Sequence, residues 1–130
     1  MIICVTGTYG TTSLVHRILY DTFSIIHKPT ILTTIYYEND YSVIDVPSEN
    51  KPHQCDLLII TCQSQLHILD IARKWLGFHK CLIVAIVNAP PEPPLLCTEP
   101  YLVSVNNMSR KGIQDILRLI HINKNKTLLK

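Results

Sequence analysis

The feature that most restricts the fold is a set of short segments that are apolar along almost their whole length, rather than at alternate positions. These segments are residues 1–6, 56–62, 81–88 and 101–105. A strand that is apolar on both sides must be covered on both faces, as in a parallel sheet flanked by helices. We therefore predict that these segments form the central strands of a parallel sheet.

The segments between them complete an alternating pattern of strands and helices. Apolar residues recur at helical spacing within 14–23, within 66–77 and within 113–120, the last after Ser109, which we predict to cap it. Residues 30–37 and 41–46 are β-branched and aromatic and are separated by a turn sequence, so they predict a hairpin. The predicted fold is α/β, with a doubly wound, mostly parallel six-stranded sheet that has one antiparallel edge strand.

Charge and hydropathy exclude several classes of function. The chain of 130 residues has a net charge of +2, well short of a dedicated nucleic-acid binder. Apolar runs fall short of the roughly 18 residues that span a bilayer, and the first residues lack the layout of a signal peptide. We expect no nucleic acid, no membrane, and a nuclear or cytoplasmic location. We predict one domain over residues 1–122 and a solvated basic tail over residues 123–130.

The cysteines predict a reducing compartment. There are five, an odd number without CxxC spacing, and most lie in or beside apolar runs; they are Cys4, Cys55, Cys62, Cys81 and Cys97. Buried free thiols are the favoured interpretation over disulfides or a metal site. The six histidines have no zinc-ligand spacing, so no zinc site is predicted.

A glycine-containing loop follows the first strand and leads into a helix, which is the context of a phosphate-binding loop. The loop reads GTYGTTS, with Gly7, Gly10 and Ser13 as candidate binding positions. When Gly10 is aligned with the second glycine of GxxxxGK[ST], Thr11 stands in place of the lysine and Thr12 in place of the magnesium-binding hydroxyl. The loop is therefore a degenerate version of this motif.

Several further segments, in order along the chain, resemble the Ras-like small GTPases. YGTTSL resembles that family's VGKSAL, and Phe23 stands where the family has an aromatic residue beside the base. Pro29-Thr30-Ile31 resembles the PTI of switch I, and Val43-Ile44-Asp45 resembles the strand entering DxxG, with Asp45 as its aspartate. Asn88 closes a strand as in NKxD, and Val103-Ser104-Val105 resembles the TSA segment that contacts the base. The resemblance implies a P-loop fold with a shortened switch II at 47–55 and, at the proline-rich 89–100, a missing helix after the fifth strand. It also implies a degenerate nucleotide site at Gly7, Gly10, Thr11, Thr12, Ser13, Phe23, Asn88 and Ser104.

The departures from that family predict a protein that is not an enzyme and has no bound cofactor. Phosphoryl transfer by this fold depends on charge neutralisation, and Thr11 carries no charge. Ser48 and Glu49 replace the glycine and glutamine of switch II, while Ala89 and Pro91 replace base-reading residues. The resemblance then implies a pseudo-GTPase that acts as a protein-interaction module.

One group of retained positions favours an alternative. Thr12, Thr30 and Asp45 fall where the family places two magnesium-binding hydroxyls and their supporting carboxylate. They would suit a divergent Ras- or Rab-like switch that still binds GTP or GDP with magnesium. Ordinary structural roles, such as a helix cap and strand ends, account for the same three residues.

A second, more local resemblance concerns the kind of partner. PSENKP at 47–52 followed by Asp56-Leu57, and WLGFHKC from Trp75, resemble the centromere protein M family of inner-kinetochore pseudo-GTPases. That resemblance implies a scaffold subunit in a multiprotein complex. Trp75 could anchor a partner protein or pack in the core. The prolines of residues 90–94 could form a docking segment or a stiff connection.

Overall fold

The computed structural model describes residues 1–7, 11–20, 33–38, 41–47, 50–62, 68–87, 101–106 and 109–128. Within these ranges the elements are β1 (Ile2–Gly7), α1 (Thr11–Tyr20), β2 (Thr34–Tyr37), β3 (Ser42–Asp45), β4 (Leu57–Cys62), α2 (Ile68–Lys74), β5 (Cys81–Val87), β6 (Tyr101–Val105) and α3 (Ile113–Leu128). This is the predicted order of strands and helices.

The strands form one sheet in the order β2-β3-β1-β4-β5-β6. All neighbouring strands are parallel except β2, which lies antiparallel to β3 at one edge. The predicted α/β fold with a mostly parallel six-stranded sheet and one antiparallel edge strand is confirmed. Because β1 lies between β3 and β4, three parallel strands end side by side near the start of α1.

Each face of the sheet carries its own apolar layer. Alternate residues of β1 divide between the layers, since side chains along a strand point to opposite faces. Ile3 and Val5 join the layer that contains buried residues of α1 and α3. Cys4 joins the layer that contains Trp75 and the α2 residue Ile71. Helices on both faces explain why the central strands lack the polar alternation of a half-exposed sheet.

Two boundaries differ from the prediction. Helix α3 continues to Leu128, so residues 123–128, predicted as part of a tail, extend the last helix. Adding a turn to a formed helix requires no new nucleation, and polar residues with ordinary helix propensity suffice. Ser109 does not cap this helix: its hydroxyl accepts a hydrogen bond from the Lys111 amide (3.4 Å) within the preceding turn.

The predicted burial of the thiols is confirmed for Cys4, Cys55, Cys62 and Cys81, which are buried and not disulfide-bonded. Cys97 lies outside the described residues. Trp75 is only 1% exposed and belongs to the core, so it is not available as a surface anchor. Residues 50–55 contain no helix or strand. The predicted absence of a helix in 89–100 falls outside the described residues.

None of the helices in the described ranges is both long enough and apolar enough to cross a bilayer.

Candidate functional site

The carboxyl ends of β1, β3 and β4 meet the first turn of α1, which is where open α/β sheets bind their ligands. The register places Val5 beside Asp45 and Gly7 beside Thr61. The structure thus brings the ends of three strands close to the predicted positions Thr11 and Thr12 at the start of α1. We take this group of residues as the candidate site.

Gly7 ends β1 in a conformation that requires glycine. Its φ of 151° is one that residues with a side chain rarely adopt. A Cβ atom at this position would also collide with the backbone and the hydroxyl of Thr61. Gly7 therefore lets the chain pass against β4 as it leaves the strand.

Thr11, at the position of the missing lysine, points into the protein. It is 7% exposed, and its Oγ1 lies 2.9 Å from Oγ1 of Thr61. Oγ1 of Thr61 also lies 3.4 Å from the carbonyl oxygen of Thr6, and either hydroxyl can be the donor between Thr11 and Thr61. The Thr11 hydroxyl is thus engaged in a hydrogen bond inside the domain.

Thr12 and Asp45 are directly bonded. The Thr12 hydroxyl donates to Oδ2 of Asp45 at 2.8 Å, and Asp45 is 2% exposed. These two oxygens are hard donors of the kind that magnesium prefers. Together with burial, the charge of Asp45 raises the pKa of Tyr36, as does Tyr20. Asp45 is thus an electrostatic influence on the neighbouring edge of the sheet.

The remaining predicted positions are spread more widely. Ser13 is half-buried in the first turn of α1. Ser104 lies in β6, beside Ile86, and is separated from β1 by β4 and β5. The positions that lie outside the described residues are Gly10, Phe23, Thr30 and Asn88. Within the described residues, therefore, Gly7, Thr11, Thr12 and Asp45 come together, whereas Ser104 is three strands away from β1.

Two residues of this region were not predicted from the sequence. Thr61 is the centre of the hydroxyl chain, and Thr6 is fully buried with an Oγ1 that has no hydrogen-bond partner among the described residues. The available signal was a threonine near the end of each of two apolar strands, in MIICVT and in DLLIITC. A polar residue there is expected where strand ends form a site.

Comparison with known proteins supports the fold alone. No family model matches the chain, and no curated protein matches it. The structure is similar to Methanosarcina barkeri Roco2 RocCORdC bound to GDP, with a TM-score of 0.67 and 14% identity over 97% of this chain. It is also similar to the G domain of the T. maritima FeoB iron transporter, with a TM-score of 0.57 and 12% identity.

The lengths of these two neighbours differ. The match covers 49% of the Roco2 chain and 98% of the FeoB G domain, while it covers 95% of this chain in the FeoB comparison. This chain therefore spans about half the length of the Roco2 protein. It has a GTPase-like fold.

Proposed function

We propose that this GTPase-like domain is a pseudo-GTPase that works by binding other proteins in a complex. The observation that carries the proposal is the position of Thr11. A working phosphate loop places a cationic lysine against the phosphates. Here a neutral side chain occupies that position and is bonded inward to Thr61.

The inward bonding bears on nucleotide affinity as well as on catalysis. Turning Thr11 toward a phosphate would break its bond to Thr61 and leave the buried Thr61 oxygen with one fewer partner, which costs about 1 kcal/mol or more. The turned side chain would still bring no positive charge. The missing charge and the inward hydrogen bond of Thr11 both support the proposed loss of phosphate binding.

The exposed edge of the sheet supports a role in protein binding. Among the residues that the structure describes, strand β2 has no neighbour on its outer side in the sheet order, and its sequence TIYY carries no charge. Tyr37 is 78% exposed and Ile35 is 47% exposed. Uncharged edge strands with exposed apolar side chains are sites where another chain can add a strand.

An aromatic cluster adjoins this edge. His16, Tyr20 and Tyr36 lie with ring centroids 6.1 to 6.4 Å apart, and Tyr20 is exposed. Aromatic side chains supply most of the binding energy in many interfaces. The resemblance to centromere protein M makes an inner-kinetochore assembly the first complex in which we would seek the partner.

One observation favours a second candidate function, a switch that retains magnesium and guanine nucleotide. Thr12 and Asp45 lie within 2.8 Å of each other and provide a hydroxyl and a carboxylate oxygen. These residues would hold the ion, which in this fold neutralises phosphate charge when it is bound. We prefer the pseudo-GTPase, because position 11, next to these oxygens, carries no cationic side chain.

The nucleotide content of the purified protein separates the two candidates. We expect the supernatant of denatured protein to contain no stoichiometric GDP or GTP. We also expect magnesium with either nucleotide to leave the melting temperature unchanged. A bound nucleotide, or a shift of several degrees that Asp45→Asn abolishes, would establish the switch and overturn the proposal.

Partner binding is tested with two variants of matched exposure. Tyr37→Ser alters the β2 edge, and Leu76→Ser alters a side chain that is 77% exposed after α2. We expect the affinity for purified inner-kinetochore subunits to fall at least tenfold in Tyr37→Ser and to stay unchanged in Leu76→Ser. Equal binding by both variants would contradict the role of the edge.

A further inference from the structure

The outer edge of β2 presents backbone groups at alternate residues. The Glu38 amide donates to the carbonyl of Tyr41 (2.9 Å), so Glu38 bonds across the hairpin on the β3 side. The Ser42 amide instead donates to the carbonyl of Met1 (3.0 Å), away from β2. In an antiparallel ladder the direction of these groups alternates from one residue to the next. The amide and carbonyl of Tyr37, which lies opposite Ser42, therefore point away from β3.

The same alternation gives Ile35 outward backbone groups, whereas those of Tyr36 face β3. Ile35 and Tyr37 are also the residues of β2 with large, exposed side chains, at 47% and 78% exposure. Among the described residues, no strand lies beyond β2 in the sheet. The edge thus offers two amides and two carbonyls, and both residues that carry them also expose a large side chain.

We propose that a second copy of this chain binds at this edge, with the two β2 strands antiparallel about a two-fold axis. Hydrogen bonds form between residues whose backbone groups both point outward, so Ile35 of each copy faces Tyr37 of the other. Tyr36 then lies opposite its own counterpart on the axis. Within β2, this register alone uses both outward residues of both copies. It is also self-complementary, as a two-fold interface requires.

The side chains that this register brings together are compatible on both faces of the sheet. Ile35 lies opposite Ile44 of β3 and gains Tyr37 of the other copy as its second neighbour. On the other face the two Tyr36 rings meet at the axis, next to Tyr20 of α1, which is 54% exposed. Pairs of two aromatic side chains, or of an aromatic and a β-branched one, are favourable neighbours across strands.

Charge favours a second copy over a strand of strongly acidic or basic character. The sequence TIYY carries no charge, so it neither attracts a charged strand nor repels itself. The charged residue that follows, Glu38, lies opposite Thr34 of the other copy in this register. The two Glu38 positions are four residues apart along the strands, about 14 Å at about 3.4 Å per residue, which exceeds the screening length of about 10 Å at 0.1 M salt.

The inference goes beyond the proposed function, because it concerns the purified protein with no other protein present. Four paired residues form a small interface, so we expect a weak dimer with a Kd on the order of 10 to 100 µM. A different protein that adds a strand at β2 would have to displace the second copy. The weakness of the dimer leaves the edge available to such a competitor.

Sedimentation equilibrium of the purified protein, from about 5 to about 500 µM, spans this Kd. We expect the average mass to rise from that of a monomer toward that of a dimer. Tyr37→Lys places a charge on the edge and should weaken association at least tenfold. Leu76→Lys, at a matched exposure of 77%, should leave association unchanged. A protein that stays monomeric throughout, or equal association by both variants, would overturn the proposal.

Cysteine crosslinking tests the register. A mixture of the Ile35→Cys and Tyr37→Cys proteins should form a disulfide between unlike chains on mild oxidation, because Cα atoms of a hydrogen-bonded pair lie about 5.5 Å apart. Either protein alone should not crosslink through its introduced cysteine, because like positions are offset by two residues and lie more than about 7 Å apart. Circular dichroism verifies folding, and wild-type protein controls for the native thiols. Equal crosslinking of either variant alone would contradict this register.

The dimer and the proposed function fail separately. A monomeric protein whose binding to kinetochore subunits is still weakened by Tyr37→Ser would show that the edge binds a different protein, and the second copy would be wrong. Bound nucleotide in the purified protein would overturn the pseudo-GTPase, whereas the association measured by sedimentation would still decide whether the dimer forms.

Discussion

The two ends of the central strands β1 and β4 are stabilised by different chemistry. At the amino end, Asp56 accepts the Ile2 amide and pairs with Lys80 at 3.3 Å. At the carboxyl end, Thr11 and Thr61 join the strands to α1 through neutral hydroxyls. The ion pair with Lys80 thus lies at the amino end of the sheet, opposite the candidate site.

This contrast bears on function because phosphate binding depends on positive charge at the carboxyl end of the sheet. The neutral hydroxyl chain there stabilises the domain itself. We interpret the carboxyl end as a region whose polar groups now bond to one another. Substitutions at both ends of the sheet test this difference.

Substitution of Gly7 by alanine should have the largest effect. The added Cβ would collide with the backbone of Thr61, so we expect a loss of about 3 kcal/mol in the free energy of unfolding, or failure to fold. Chemical denaturation measures the loss. Gly77→Ala is the matched control: Gly77 also has a positive φ of 85°, but nothing lies within 4 Å of a Cβ there, so its cost should be roughly 1 kcal/mol. Similar costs for both would show that the carboxyl end is loosely packed.

Removal of the central hydroxyl should come next. Thr61→Val leaves the buried Thr11 hydroxyl without its partner and should cost about 2 kcal/mol. Thr11→Val should cost about 1 kcal/mol, because Thr61 keeps its bond to the Thr6 carbonyl.

A double-mutant cycle sharpens the result. The Thr11→Val/Thr61→Val protein should be less destabilised than the sum of the single variants by about 1 kcal/mol. Additive losses in denaturation experiments would mean that the two hydroxyls contribute independently.

The amino end should respond to pH. Burial disfavours the Asp56 carboxylate, but the Ile2 amide and Lys80 outweigh burial and lower its pKa. A lowered pKa stabilises the folded state above the ordinary pKa of about 3.9, and this contribution is lost as the pH falls through the lower, folded-state value. Asp56→Asn should therefore cost about 1 kcal/mol at neutral pH and progressively less in acid. Glu38→Gln, at an exposed position, is the control. A cost that does not change with pH would contradict this account.

Replacement of Lys80 should have the smallest effect. Its side chain is 68% exposed, and an exposed ion pair contributes little. We expect Lys80→Met to change the free energy of unfolding by less than about 0.5 kcal/mol, with the difference decreasing in high salt. A larger, salt-independent loss would mean that the lysine contributes by packing.

Most of the fold was predictable because strand and helix periodicity are local properties of the sequence. The apolar segment DLLIITC predicted β4, and the hairpin sequence predicted the antiparallel edge. The end of α3 was not predicted, because the polar residues after 122 have no apolar period although they continue the helix. The meeting of Thr12 with Asp45 was expected only through the resemblance to GTPases.

The contacts between distant residues were decided by tertiary structure. Thr11 meets Thr61 across 50 positions, because parallel pairing brings β1 and β4 together after a long crossover. No local pattern specifies such a pairing. The sequence alone determined the alternation of elements and the absence of a lysine at position 11. Only the folded chain determined that Thr11 turns inward, since the direction of a side chain depends on the strand packed against it.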